Sequence, residues 1–445
     1  MTFMYLKIVY IFILTVFLFN NSYSQDRVRK YYDPENKFLK VEYFILEGDS
    51  MMLQGPMRKF YPDGTLEIEG VYFQGKQEGL FKEYYNDNTL RRKINYHKGM
   101  RHGTVYVFAP NGKLVQEAEY LRDTLINELK VFFPSGVLKS STSFANGKPD
   151  GDVIEYYESG KMKKHSFYKD GQEQGEIKTY HENGVMESVG TFVKGKLAGS
   201  FKTFYESGQL YTEYLHNDGK KSGSFKVFSE AGELMSKGAY ENDKLDGEIV
   251  AYYSNGNMKQ ICHYDVGKLT GNNKYFYHNG ELKKEIKISS NNVGKQIYEY
   301  DSLGNLLVKQ TYRNEKKDGI WMEYFSSGVV KTKTIYSEGR KNGLFAQYFE
   351  SGKLNTSINF QNDLAIGESK AYYEDNGALK SVVPYKVGKK NGEFFHYFPS
   401  GNIELKGEYV SGKKIKEWLY YNEAGKVIKK EEYFNDKLVN TLLFD

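Results

Sequence analysis

Tyr156-Tyr157-Glu158-Ser159-Gly160-Lys161-Met162, followed by Tyr168-Lys169-Asp170-Gly171 and Gly175, is the stretch whose reading decides the fold. Gly160 supplies a turn, an aromatic stands four residues before it, an aliphatic two after and a second aromatic eight after. A Gly-containing connection then leads to the next aromatic. Taken alone this is one hairpin signal among many.

Its weight comes from recurrence, which is sought before any local pattern is trusted. The turn glycines Gly64, Gly112, Gly136, Gly160, Gly184, Gly208, Gly232, Gly256, Gly280, Gly304, Gly328 and Gly352 fall on a 24-residue grid, whose missing point is Asn88. Asn is the best non-Gly residue where φ is positive. One inserted residue moves the series to Gly377, after which Gly401 and Gly425 resume the step. Sixteen copies follow, and a seventeenth with its turn at Asn36 precedes them. An aromatic is expected four residues before every origin, as at Phe60, Tyr252 and Tyr373. Eight after it comes an aromatic in all copies but two, where His216 and Ile288 stand. The position fifteen after is usually Gly, with Asn127, Lys295 and Lys416 departing.

In Leu234-Met235-Ser236-Lys237-Gly238-Ala239-Tyr240 the even offsets run aliphatic, small polar, very small and aromatic. A period of two with one apolar face is a half-buried strand. The small residue at offset six leaves room for bulky side chains of adjoining strands. In Phe201-Lys202-Thr203-Phe204 the apolar positions lie three apart, which predicts a bend or bulge before the turn. Tight turns joining successive strands predict an all-β fold: an elongated antiparallel β-hairpin solenoid of 16–17 repeats, stabilised by nearest-neighbour interfaces.

The composition agrees. Tyr at 40, Phe at 29 and Gly at 44 against Pro at 8 suit strands and Gly turns. Charged residues at 27% exclude a disordered low-complexity chain, and a net charge of +5 is too small to imply a nucleic-acid partner. Lys7, the apolar run Ile8 to Phe19 and Ser22-Tyr23-Ser24 have the form of a signal peptide cleaved before Gln25. The domain reading is a signal peptide at 1–24, an atypical first repeat and N-terminal cap at 25–54, tandem repeats at 55–433, and a partial repeat at 434–445. The chain is then exported: periplasmic, outer-envelope associated or extracellular. Its one cysteine, Cys262, forms no internal disulfide, so repeat packing must hold the fold.

The passages Tyr156 to Met162 with Tyr168 to Gly171, and Tyr348 to Leu354 with Tyr336 to Arg340, resemble the MORN repeat family in its bacterial variant form. The resemblance covers roughly residues 32 to 445. It implies an open antiparallel sheet used as a scaffold or binding surface. Some bacterial relatives carry an antitoxin label, which an export signal argues against for this chain.

No catalytic constellation emerges. His97, His102, His165, His181, His216, His263, His278 and His396 are scattered over different copies without metal-ligand spacing. Cys262 occupies the small offset-six position and is expected to be a buried packing residue. Asp and Glu in the turns follow turn chemistry. Gly171 and Gly175 lie in a hairpin connection, where a phosphate loop has no helix to open. The chain is therefore read as no enzyme, with no cofactor or metal.

One feature points to binding. Lys76, Lys148, Lys196, Lys220, Lys244, Lys268, Lys316, Arg340, Lys389, Lys413 and Lys437 recur at offset twelve. Stacked hairpins would align them along one edge, about 10 Å apart. Such an edge either contacts an anionic polymer, lipid headgroup or partner surface, or simply keeps the sheet edge soluble. The leading functional expectation is an envelope scaffold for a protein or glycan partner. The alternatives are a peripheral lipid-binding repeat protein or an antitoxin-like inhibitor.

Overall fold

The computed structural model describes residues 25–444, and the signal-peptide reading of 1–24 lies outside the described residues. The described residues form 38 strands, β1 to β38 in chain order, and no helix. They divide into two compact units. One runs through Met186 and includes Phe192–Gly195; the other comprises Glu187–Thr191 and everything from Lys196 onward. Each is a meander in which consecutive strands pair antiparallel.

One copy in the second unit shows how the sequence builds the element. The strands β18 (Lys220–Phe228) and β19 (Leu234–Glu241) are joined by a loop in which Ser229 N–H donates to Glu233 O at 2.8 Å and Gly232 N–H to Ser229 O at 2.9 Å. Gly232 takes φ +86°, a conformation a Cβ would strain, and this is why the grid is written in Gly and Asn. From β19 to β20 (Lys244–Tyr252) the turn is the two residues Asn242 and Asp243, with φ of 48° and 68°. Two consecutive left-handed residues make the turn whose twist matches that of the strands it joins.

Two irregularities recur along the meander. Phe228 pairs with Leu234 but Val227 with Ser236, so Met235 is an extra residue opposite the end of β18. Lys237 pairs with Val250 and Ala239 with Asp246, so Gly247 to Ile249 bulge opposite Gly238. The second bulge is the expected break in alternation, and its hinge is the Gly at offset fifteen, here Gly247 at φ +74°. Asn127 and Lys416 hold the same left-handed position at φ 56°. The copy with Lys295 differs. There Lys287 pairs with Gln296 and Ile288 with Lys295 in unbroken register, and the bulge is gone.

The inserted residue before Gly377 falls inside the turn. Tyr372 pairs with Leu379 as Phe228 pairs with Leu234, and Tyr373 N–H reaches Ala378 O one residue further along than in other copies. The aromatic equivalent to offset minus four is thus Tyr372, and Tyr373 takes the place of the next residue. Counting back from Gly377 mistakes one for the other because the extra residue separates them from their origin.

Because the bulges shift alternation, cross-strand partners define two faces. On the inner face Phe225 pairs with Gly238 and Ile249 with Cys262; this face carries most of the buried residues, among them Phe81, Val105, Ala118, Ile249, Cys262 and Trp418. The offset-six position is small for a steric reason: a Cβ on Gly238 would lie 2.3 Å from Ile249 Cδ1, and one on Gly407 2.2 Å from Trp418 Cδ2. Rings line this face, with Phe225 at 5.7 Å from Tyr214 and 5.1 Å from Tyr240, and Trp418 at 5.4 Å from Phe394 and 5.1 Å from Tyr409. Offset pairs of this kind add to the stabilisation from area burial.

Neighbouring copies are also tied by a repeated hydrogen bond. Tyr61 hydroxyl donates to Tyr84 O at 2.9 Å, Tyr157 to Tyr180 O at 2.7 Å, Tyr205 to Phe228 O at 3.0 Å and Tyr253 to Phe276 O at 2.8 Å. Tyr373 makes it to Tyr397 O at 2.7 Å, which confirms its structural position.

Candidate binding surface

The eleven offset-twelve cations all lie exposed, each as the first residue after a two-residue turn or its variant. Stacking of the turns aligns them within each unit. Gly75 N–H donates to Leu53 O at 2.8 Å, Gly99 N–H to Gln77 O at 2.9 Å and Gly267 N–H to Leu245 O at 2.7 Å. The Gly of one turn sits against the lysine stem of the turn before. A Cβ at Gly99 would meet Lys76 Cβ at 3.7 Å, and one at Gly267 would meet Lys244 Cβ at 3.4 Å. Two of these turn cations are neutralised: Lys196 pairs with Asp218 at 2.7 Å and Lys316 with Glu338 at 3.0 Å.

Acidic and amide side chains complete the stack. Glu78 accepts from Lys98 N–H at 2.9 Å, and Gln174 from Lys194 N–H at 3.0 Å. Where Gly at offset eleven is replaced by Asp, the bond runs the other way. Asp123 accepts from Arg101 N–H at 3.0 Å, Asp243 from Lys221 N–H at 2.8 Å and Asp363 from Lys341 N–H at 2.7 Å. These turn carboxylates satisfy backbone donors, in keeping with their reading as turn chemistry.

A second set of cations escaped the sequence reading. Lys221, Lys317, Lys341, Lys390 and Lys414 each follow an offset-twelve cation and are half-buried over rings. Lys221 lies 4.0 Å from the Tyr214 ring centroid, Lys317 4.2 Å from Trp321 and Lys414 4.3 Å from Trp418. The signal was the cation doublet itself, Lys220-Lys221 or Lys413-Lys414: alternation sends the first to water and the second onto aromatics.

The polar groups with shifted acidity are structural pairs. Lys429 stands 2.6 Å from Glu431 and holds its carboxyl down at about 2, aided by the Tyr420 and Tyr433 hydroxyls at 2.8 and 2.9 Å. Lys82, at 3.0 Å, lowers Glu69 in the same way, with Tyr84 hydroxyl at 2.8 Å. Burial pushes the Cys262 thiol up, away from the nucleophilic thiolate. The histidines serve local partners: His97 contacts Glu78 and His165 contacts Asp152, both at 2.8 Å, while His278 stacks on Tyr253 at 3.7 Å. Among the described residues no group of His, Cys, Asp and Glu is arranged to hold a metal ion.

These features define an antiparallel β-hairpin repeat protein whose copies present the same side chains again and again. The chain belongs to the MORN repeat family: the MORN repeat variant matches ten stretches, at 53–74, 77–98, 101–121, 149–170, 173–194, 197–218, 245–265, 269–288, 341–362 and 390–411. Copies between these stretches, such as β18 and β19, have the same hairpin geometry. No curated protein matches the chain. Solved structures similar in part include the TcdB2-TccC3-Cdc42 crystal structure, at 12% identity over 92% of this chain and 30% of that one, with a TM-score of 0.14. The Tc holotoxin pore of Photorhabdus luminescens, carrying the TccC3-D651A mutation, is 12% identical over 89% of this chain and 27% of its own, with a TM-score of 0.12. The chain spans less than a third of the length of these structures.

Proposed function

We propose that the protein is an exported, non-catalytic β-repeat scaffold that binds a protein or glycan partner in the bacterial cell envelope. The observation that carries this reading is repetition. The exposed ridge, the ring-covered lysines and the turn stacks recur in successive copies, whereas catalysis needs one unique constellation. The form of residues 1–24 supplies the export part. Fractionation of cells producing the full chain with a C-terminal tag tests it. A mature species beginning at Gln25 in the envelope or medium is expected, and a cytosolic chain retaining residues 1–24 would overturn the reading.

A second reading, a peripheral lipid-binding protein, is favoured by one observation: nine of the eleven ridge cations have no ion pair among the described residues. Co-sedimentation of the mature chain with anionic vesicles, abolished by charge reversal along the ridge, is its expected signature.

A further inference from the structure

We propose that the outer face of the second unit between β18 and β28 (Val330–Ser337) binds a linear anionic polysaccharide. This deepens the scaffold reading, on which it rests, by naming the chemistry of the partner. The surface is distinct from the turn ridge and is invisible in the sequence until the register is known.

Cross-strand partners trace one continuous row across this face. It starts at Lys226 opposite Lys237, passes through Lys274, Tyr298 and Lys309, and ends at Lys333. At a strand spacing of ~4.8 Å the row extends for roughly 43 Å, with lysines separated by about 5 to 14 Å. None of the five lysines is in an ion pair among the described residues, and Lys226 and Lys237 are exposed. Like charges directly opposite one another destabilise a sheet. Lys226 has Glu213 opposite it on the preceding strand, itself 3.4 Å from Lys202, whereas Lys237 stands between Lys226 and Val250 with no acid across the ladder on either side, and an external anion would supply one. Between Lys226 and Lys333 the row holds one acid, Glu285, which is held by Lys287 at 3.2 Å. The flanking row on the same face adds Glu248, 3.6 Å from His263, and Asp246, which lies opposite Ala239 and accepts from Val266 N–H at 3.1 Å.

The lysines therefore lie along one line, interrupted at the buried Val250 and bordered in its second half by uncharged partners such as Gln296 opposite Thr311 and Ile320 opposite Ile335. A line fits a linear polyanion. A bilayer offers charge in two dimensions and is gripped by protruding apolar groups, whereas the ring in this row, Tyr298, is half-buried between Lys287 at 5.1 Å and Lys309 at 5.8 Å. Such a ring presents an apolar platform for the C–H face of a sugar beside two ammonium groups. The row contains no Arg, the side chain whose planar fork suits phosphate, so carboxylate or sulfate groups on a glycan are favoured over a nucleic acid.

The test is affinity electrophoresis of the mature full chain in gels containing polygalacturonate, alongside Lys237→Gln/Lys274→Gln/Lys309→Gln/Lys333→Gln and a control carrying Lys370→Gln/Lys406→Gln/Lys430→Gln. Retardation of the wild type that weakens with salt is expected, falling about tenfold in the first variant and less than about twofold in the control. Lys226→Gln/Lys237→Gln, which leaves the half-buried lysines untouched, should weaken retardation by a few-fold and guards against misfolding of the larger variant. Absence of retardation, equal loss in both larger variants, or tighter binding to single-stranded DNA or phosphatidylglycerol vesicles than to polygalacturonate would each overturn the proposal. A chain recovered from the envelope that fails to bind sinks this inference and spares the scaffold reading; a cytosolic chain does the reverse.

Discussion

The outer faces of β18 to β28 and of β31 (Leu364–Tyr372) to β37 (Val427–Phe434) are built on the same register within one unit, yet they carry opposite charge. In the first region, the central and flanking rows hold six lysines against Asp246, Glu248 and Glu285. In the second, Lys370, Lys406 and Lys430 meet Glu368, Glu393, Glu408, Glu417 and Glu432, and each lysine is paired: Lys370 with Glu368 at 3.2 Å, Lys406 with Glu393 at 3.1 Å, and Lys430 with Glu417. The inner faces of both regions are lined by the same kind of ring cluster. The lesson is that the fold is fixed by one side of the sheet, which leaves the other side free to be balanced or left unbalanced.

The largest expected effect tests whether the two regions share one kind of interior. Phe225→Ala and Trp418→Ala should each remove about 3–5 kcal/mol of local stability, read by hydrogen exchange around the altered copy. A negligible loss at either site would break the comparison on its inner side. Next comes acidity. Glu431 titrates at about 2 in the folded chain, below its ordinary range. Its contribution is therefore present above about pH 4.5 and is lost as pH falls towards 2, amounting to roughly 2–3 kcal/mol. Acid unfolding followed by hydrogen exchange should begin in the copy holding Trp418, and Glu431→Gln should remove that pH dependence.

Smaller effects sharpen the outer-face contrast. Glu393→Gln with Glu417→Gln and Glu432→Gln removes the partners of Lys406 and Lys430, and should confer a few-fold gain in salt-sensitive retardation by polygalacturonate while changing stability by less than about 1 kcal/mol. Asp363→Gly exchanges a carboxylate bond to Lys341 N–H for relief of a left-handed φ of 69°. The two nearly cancel, and thermal unfolding should register a change within about 0.5 kcal/mol.

Much of the fold was legible because steric demands are local. The grid of turn glycines, the small residue beside Phe225 and Trp418, and the turn-edge lysines all follow from positions within one copy. The outer row was not legible, since Met235 and Gly247 to Ile249 each interrupt alternation. Counting by twos across those bulges puts residues on the wrong face. The copy with Lys295 keeps its register instead, and only its pairing reveals this. Tyr372 and Tyr373 were exchanged for the same reason: an insertion moves the origin without moving the ladder.

The Tyr hydroxyl bond between copies has a genetic corollary. Tyr205 reaches Phe228 O and Tyr253 reaches Phe276 O, each across an interval of 23 residues. Excision of residues 209–232 would bring Tyr252 O to the place that Phe228 O vacates, so the seam heals with a like-for-like acceptor. Loss of half that length would strand the donor. Length variation by whole modules is thus mechanically silent, and the span of the protein can drift between lineages while every joint stays closed.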